Sequence, residues 1–245
     1  MTKKSVALVT GAASGIGAAI ALAFAEARAR VYVADIDVER AAATAGEIGG
    51  GATALRLDVT QPDEWAAAAE HVTAETGRLD ALVNSAGLLS LGTVEECSLE
   101  EWRRIQSVNV EGTFLGCQAL IPLLAASGGG AITNVCSVSG VVGGHNLAAY
   151  NASKGAVRML TKSVALHCAR SRNGVRCNTV MPTFVRTPML DDIVPATEQH
   201  KLERQIPMGR LVEAEEVAAL VLFLSGDDAR MITGADYTID GGATA

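Results

Sequence analysis

Short runs rich in β-branched and small apolar residues alternate along this chain with longer, alanine-rich runs. The short runs predict strands at Val6–Thr10, Val31–Asp35, Ala54–Asp58, Ala81–Asn84, Ala131–Cys136, Val175–Val180 and Tyr237–Ile239. The longer runs predict helices near 15–29, 37–48, 62–76, 98–126, 150–171 and 213–225. Parallel strands need a crossover long enough to hold a helix, so this alternation predicts an α/β protein with a doubly wound, seven-stranded parallel sheet and helices on both faces. Right-handed crossovers then leave a ligand crevice at the carboxyl ends of the strands.

No Pro- or Ser-rich linker divides the chain, and Gly49-Gly50-Gly51 and Gly128-Gly129-Gly130 stand where a helix should stop and a strand begin. One domain over residues 1–245 is the expectation. The longest stretch without periodicity runs from Pro182 to Gly209, and so long an irregular segment in a compact domain is usually a functional loop. Its apolar residues, Phe184, Val185, Met189, Leu190, Ile193 and Val194, suit a substrate lid over 182–209.

Composition narrows the partner. The 245 residues are 49% hydrophobic, enough for a sizeable core, and 27 acids against 20 bases give a net charge of −7. No basic cluster exceeds Lys3-Lys4 or Arg103-Arg104, which disfavours nucleic acid and points to a small-molecule ligand. The five cysteines show no C-x-x-C spacing and the four histidines are scattered singly, so no metal site is expected. The start runs from Met1 straight into an apolar strand with no leader-like stretch, and no run reads as a membrane span, making a cytoplasmic protein without membrane contact the expectation.

Chemistry first appears after the first strand, at Thr10-Gly11-Ala12-Ala13-Ser14-Gly15-Ile16-Gly17. Glycines allow a tight turn and close backbone approach, and the following helix offers unpaired N–H groups and a positive dipole end to a pyrophosphate. Three glycines alone are weak; between a first strand and a first helix they form a dinucleotide-binding signature. Asp35, eighteen residues past Gly17, ends the second strand, where a carboxylate can accept hydrogen bonds from an adenosine ribose and would repel a 2′-phosphate. With no Arg or Lys at Ala12, Ala13, Ile36 or Asp37, the cofactor expected is NAD. Asp35 could instead cap the next helix, a role Asp37 fills equally well.

Tyr150 and Lys154 stand four residues apart on a predicted helix, which puts phenol and ammonium on one face. A fixed cation beside a phenol favours the phenolate, so such a pair can exchange a proton with an alcohol or ketone. The bare spacing is common on exposed helices and carries weight only in company. Ser137, thirteen residues earlier at the end of a strand aimed at the crevice, can orient a carbonyl oxygen; Ser139 is a weaker candidate that shapes the turn.

These motifs, in their order and spacing, resemble the short-chain dehydrogenase/reductase family over essentially the whole chain. The resemblance rests on Thr10-Gly11-x-x-x-Gly15-Ile16-Gly17, Asp58, Asn84-Ser85-Ala86-Gly87, Asn109, Ser137, Tyr150-x-x-x-Lys154, and Pro182 followed by Thr187. Tyr150 through Arg158 and Val185 through Asp192 look most like bacterial secondary-alcohol dehydrogenases, with hydroxysteroid dehydrogenases close behind. The family implies a Rossmann-type fold. It also implies that Gly11, Ser14, Gly15, Ile16 and Gly17 cradle the pyrophosphate, that Asp58 and Val59 contact adenine, and that Asn84, Ala86 and Gly87 line the adenosine and ribose. Pro182, Val185 and Thr187 would hold the nicotinamide. Tyr150 would be the general acid/base, Lys154 would assist it and bind the nicotinamide ribose, Ser137 would hold the substrate oxygen, and Asn109 would organise a water leading from Lys154. Two positions depart from the family pattern: Ser85 replaces a second asparagine, and Thr183 replaces the glycine usual after Pro182.

A metal-dependent dehydrogenase is disfavoured by the scattered His71, His145, His167 and His200, and a serine hydrolase by Val135, which stands where a nucleophile elbow needs glycine. A non-catalytic NAD-binding regulator would have little need of Ser137, Tyr150 and Lys154 in register. The apolar stretch before Tyr150 and the apolar lid predict a pocket for a hydrophobic secondary alcohol or ketone, with His145 and Phe184 as candidate substrate contacts. Alanine- and leucine-rich faces on the helices near 98–126 and 150–171, with the family's habit, imply a homotetramer.

Overall fold

The computed structural model describes residues 5–245, so the Lys3-Lys4 pair and the expectation about the start of the chain lie outside the described residues. Within them, β1 (Val6–Thr10), β2 (Arg30–Asp35), β3 (Thr53–Arg56), β4 (Ala81–Asn84), β5 (Gly130–Val135), β6 (Val175–Pro182) and β7 (Asp236–Ile239) form one sheet. Their order is β3-β2-β1-β4-β5-β6-β7 and every adjacent pair is parallel. Alternation along β1 shows how the sheet is covered twice. Ala7 and Val9 pack with Ile20, Phe24, Val217 and Val221, whereas Val6 and Leu8 pack with Trp65, Val72, Leu120 and Leu124.

The first face carries α1 (Gly15–Glu26) and α9 (Ala214–Ser225), with α2 (Val38–Ile48) beside them. The second carries α3 (Pro62–Thr76), α5 (Gly112–Ala126) and α6 (Ala148–Ser171). Local signals place their ends. The Asp37 side chain caps α2 by accepting from the Arg40 N–H at 3.0 Å, Pro62 opens α3 with Asp63 and Glu64 in its first turn, and Glu213 and Glu216 form a capping box on α9.

Two expectations are corrected. The helix expected over 98–126 is three pieces: α4 (Leu99–Gln106), a wide π turn at Ser107–Glu111, and α5. Such a turn adds a residue to the spiral and shifts the side chains it carries, here Asn109. Together Leu99–Ala126 is also long and apolar enough, at mean hydropathy 1.3, to cross a membrane by length and composition. Cys117, Leu120 and Leu124 nevertheless lie buried against the sheet, which makes this a core helix.

The segment after β6 is not irregular. It contains α7 (Pro188–Asp191), a short turn at Ala196–Glu198 and α8 (Gln199–Glu203), gathered on a small core of Leu190, Ile206 and Leu211. Short helices too brief to show a 3.6-residue period escaped the pattern reading.

Midway along α6, Arg158 and Lys162 converge on Asp236 of β7, each at 2.8 Å, and Thr179 donates to the same carboxylate at 2.7 Å. Burial pushes the Asp236 carboxyl up, but the bonds from Lys162, Thr179 and Arg158 outweigh it and hold the group below its ordinary range. A carboxyl lowered on folding stabilises fully above the unfolded carboxylate range, near pH ~4, and loses that contribution as the pH falls through its folded value. Asp236→Asn is therefore expected to cost about 1–3 kcal/mol at neutral pH and to flatten the acid limb of stability against pH, measured by urea titration; an unchanged acid limb would refute the assignment.

Candidate active site

The sheet reverses its winding between β1 and β4, and the crevice opens there above the carboxyl ends of the strands. The β1–α1 turn lies almost on the chain leaving β4. Gly11 adopts φ +63°, and a β-carbon on it would fall 2.7 Å from the Ala86 Cα. One on Gly17 would overlap the Gly11 carbonyl oxygen. Neither position has room for a side chain. Thr10 clamps the same junction, its hydroxyl accepting from the N–H groups of Ser85 and Ala86, both at 3.1 Å.

The mouth of α1 suits a phosphate. Ser14 at its N-cap makes no side-chain cap bond and no acidic residue occupies the first turn, which leaves the dipole end and its N–H groups without an internal anion. Asp35 closes the far side of the loop, accepting from Ala13 N–H and Asp37 N–H at 3.1 Å each. It does not cap α2, which Asp37 does. Thr187 sits across the crevice, its methyl 3.4 Å from where a Gly15 β-carbon would be. The glycine cradle and the open helix end thus fit a dinucleotide pyrophosphate.

Deeper in the crevice, Ser137 follows β5 by two residues and Tyr150 stands in the first turn of α6. Ser137 is buried; its hydroxyl accepts from Ser139 N–H at 3.1 Å and donates to the Pro182 carbonyl across a long 3.4 Å. So weak a donation leaves the proton easily redirected. Lys154 is also buried, with its ammonium 5.6 Å from the Tyr150 ring centroid and donating to the Val135 carbonyl at 3.1 Å. It has no carboxylate partner among the described residues, so its charge stays directed at the crevice floor. Gly87 lies next to it, a β-carbon there falling 3.6 Å from the Lys154 Nζ.

Asn109, on the π turn, ties these parts together. Its side chain accepts from Leu88 N–H at 2.8 Å and donates to the Leu88 carbonyl at 2.9 Å and to the Ser153 hydroxyl at 3.0 Å. The loop after β4 is thereby bracketed to α6 between Tyr150 and Lys154. Both of its N–H bonds are used within the protein, which makes Asn109 a positioning group in this geometry.

Known proteins are similar to this chain in sequence and in fold. A family model described as enoyl-(acyl carrier protein) reductase matches residues 11–244. The D-threitol dehydrogenase of Mycolicibacterium smegmatis is 44% identical over 242 residues, 98% of this chain and 92% of that protein. A 3-alpha-(or 20-beta)-hydroxysteroid dehydrogenase of Mycobacterium tuberculosis is 41% identical over 240 residues, 98% of this chain and 89% of that one. The structure of a 3-ketoacyl-(acyl-carrier-protein) reductase from Brucella melitensis complexed with NADH has a TM-score of 0.93 at 36% identity and covers 98% of each chain. The chain belongs to the short-chain dehydrogenase/reductase family. It is an oxidoreductase of a family that binds nicotinamide cofactors.

Other residues singled out in the sequence of this short-chain dehydrogenase fall in different places. Val59 lines a narrow slot with Ala86 and Val108, but the Asp58 side chain accepts from Thr60 N–H and hydroxyl at 3.0 and 2.8 Å, and Asp58 N–H donates to Glu64. Pro182 ends β6 in register with Ile239, and Val185 is buried and bridged to Val212. Thr183 is not among the residues with positive φ, so the missing glycine leaves no strained backbone. His145 is exposed. Phe184 packs half-buried against Leu190, Ile206 and Leu211, spending its ring on the segment's own core. The four histidines stay apart, and among the described residues no three His, Cys, Asp or Glu side chains converge as metal ligands.

Two residues with structural consequences had not been singled out. Asn134, fully buried on β5, accepts from the Asn84 amide and donates to the Thr161 hydroxyl, both at 2.8 Å, linking the β4 strand end to α6. Asn151 braces the chain before α6. A polar residue inside an apolar strand was the available signal for Asn134.

Proposed function

We propose that this chain interconverts a hydrophobic secondary alcohol and its ketone with NAD, Tyr150 serving as general acid/base. The observation that carries the reading is Lys154: a buried ammonium beside the Tyr150 ring, held among the described residues by the carbonyl of Val135, two residues before Ser137. When bound, NAD supplies a hydride acceptor at its nicotinamide. The Ser137 hydroxyl, released from its long bond, holds the substrate oxygen. Tyr150 accepts the hydroxyl proton during oxidation and returns one to the ketone oxygen during reduction. Lys154 stabilises negative charge on the phenol oxygen through that exchange and would hold the nicotinamide ribose, while Asn109 keeps the Leu88 loop and α6 at a fixed separation.

Three features favour NAD over NADP. The Asp35 carboxylate stands beside the loop at the end of β2, where it would accept from an adenosine ribose and repel a 2′-phosphate. Arg56, its register neighbour on β3, pairs with Glu64. The Brucella neighbour was solved with NADH. Val141, Val142 and Met189 leave apolar surface exposed on the segments flanking Tyr150 and after β6, which suits a substrate with few charges. The relative that is a hydroxysteroid dehydrogenase makes steroid alcohols the second reading. We place the protein in the cytoplasm as one domain, the segment 182–209 acting as its lid.

Tyr150→Phe is expected to abolish NAD-dependent turnover across a panel of cyclic, aryl, polyol and steroid alcohols, read at 340 nm, while NADH binding changes less than about threefold. Retained turnover would sink the mechanism, and a wild type that binds NADH but turns over nothing would make the protein a binding module. For the cofactor, Asp35→Ser combined with Ile36→Arg is expected to shift the NADP to NAD ratio of kcat/KM by about tenfold or more; an unchanged ratio would count against the reading of Asp35.

The exposed Phe114 on α5 and Met159 and Leu166 on α6 present an apolar face that the sheet does not use. We propose that two such faces meet and that the assembly is a homotetramer. Sedimentation at micromolar concentration is expected to show four chains, and a monomer would refute this.

A further inference from the structure

Between Ser137 and Tyr150 the chain makes a loop whose shape is set from one side. Cys136 Sγ donates to the Lys154 carbonyl at 3.2 Å, and a β-carbon on Gly140 would fall 2.9 Å from that same oxygen, so the loop lies directly on the α6 backbone. The far end is held by backbone alone: Gly92 N–H donates to the Asn146 carbonyl at 2.7 Å and Ala148 N–H to the Gly92 carbonyl at 3.3 Å. In the middle, Val141 N–H and Val142 N–H both donate to the Val138 carbonyl, at 2.8 and 2.9 Å, which closes a local turn, and one side chain ties that turn to α6. Asn151 donates to the carbonyls of Ser139 at 2.6 Å and Val142 at 2.9 Å, and accepts from Gly144 N–H at 3.0 Å. Outward from these bonds, Val141 and Val142 are 53% and 46% exposed.

The chemistry of that bracket is specific. Two donors and one acceptor are needed at a single short reach. A serine hydroxyl has one proton to give, an aspartate has none, and only the amide of asparagine supplies all three. Because Asn151 follows Tyr150 directly, each bond also fixes the loop relative to the phenol.

We propose that Asn151 is a positioning residue that sets the substrate wall, holding Val141 and Val142 at a fixed distance from Tyr150 and so deciding which alcohols fit. The proposal rests on the catalytic reading of Tyr150 given above. Loss of the bracket loosens the wall and leaves the cofactor cradle, which lies on β1, β2 and β4, untouched.

The test compares wild type, Asn151→Ala and Asn151→Asp with NADH and two ketones, cyclopentanone and a bulky aryl ketone. Both variants are expected to bind NADH within about twofold of wild type while KM for the ketones rises about tenfold, more for Asp than for Ala because its carboxylate faces two carbonyls, with kcat falling less. The preference between the two ketones is expected to change about fivefold or more. A folded Asn151→Ala protein with unchanged KM and preference would overturn the proposal while leaving the catalytic reading intact; a wild type without turnover on either ketone would overturn both. Should neither variant fold, amide exchange on the wild type decides: the Gly144 N–H is expected to be protected relative to Gly143, and equal exchange would overturn the bracket.

Discussion

With a β-carbon on Gly11 landing 2.7 Å from Ala86 Cα, the two chain segments that leave β1 and β4 touch backbone to backbone. Adjacent strands at a topological switch point send their crossovers to opposite faces, which ordinarily leaves a gap between them. Here the gap is closed at its root by glycine and by the Thr10 hydroxyl, which takes both the Ser85 and Ala86 N–H groups. The open part of the crevice therefore begins one layer higher, at the N-terminus of α1. A phosphate group seated there would meet backbone donors with no side chain between.

Everything on the catalytic side hangs on α6, and α6 is fastened to the sheet by polar bonds as well as by its apolar face. Thr161 receives the Asn134 amide, Ser153 receives the Asn109 amide, and Arg158 and Lys162 grip Asp236. Burying such groups is costly unless each is paired, and these are paired with short bonds. What the pairing adds beyond burial is direction. An apolar helix face tolerates small rotations, while a row of bonds to fixed strand positions does not, so the phenol and the ammonium keep their angle to Ser137.

Most of this architecture was legible in the sequence because it is written in local rules. The seven strands fall within two residues of where composition put them, since each is a short apolar run ended by glycine, a cap or a turn. The pattern left the cap of α2 open between Asp35 and Asp37, and the structure assigns it to Asp37. The π turn was not legible. Ser107 through Glu111 has no sequence mark of an i→i+5 turn, and the extra residue becomes visible only through Asn109, which it swings onto Leu88 and Ser153. The segment after β6 was misread for a different reason: α7 and α8 are each about one turn long, too short for any period to show, and Phe184 is drawn into a core that the linear pattern cannot reveal.

The same division explains why cofactor chemistry is easier to read than substrate choice. A pyrophosphate is recognised by backbone N–H groups, and backbone shape at the β1–α1 turn follows from where glycines stand. A hydrophobic alcohol is recognised by the few apolar side chains that happen to project around the phenol, and their projection follows from loop shape, which here rests on bonds such as those of Asn151 and not on any regular element. Glycine placement constrains the chain through excluded volume, an effect nearly independent of neighbours. A side-chain bracket works only if the carbonyls it serves are already near. Substrate walls can therefore change by a single bracket residue while the sheet and cradle stay fixed, and relatives of comparable identity whose names specify a tetritol and a steroid are what such a construction produces.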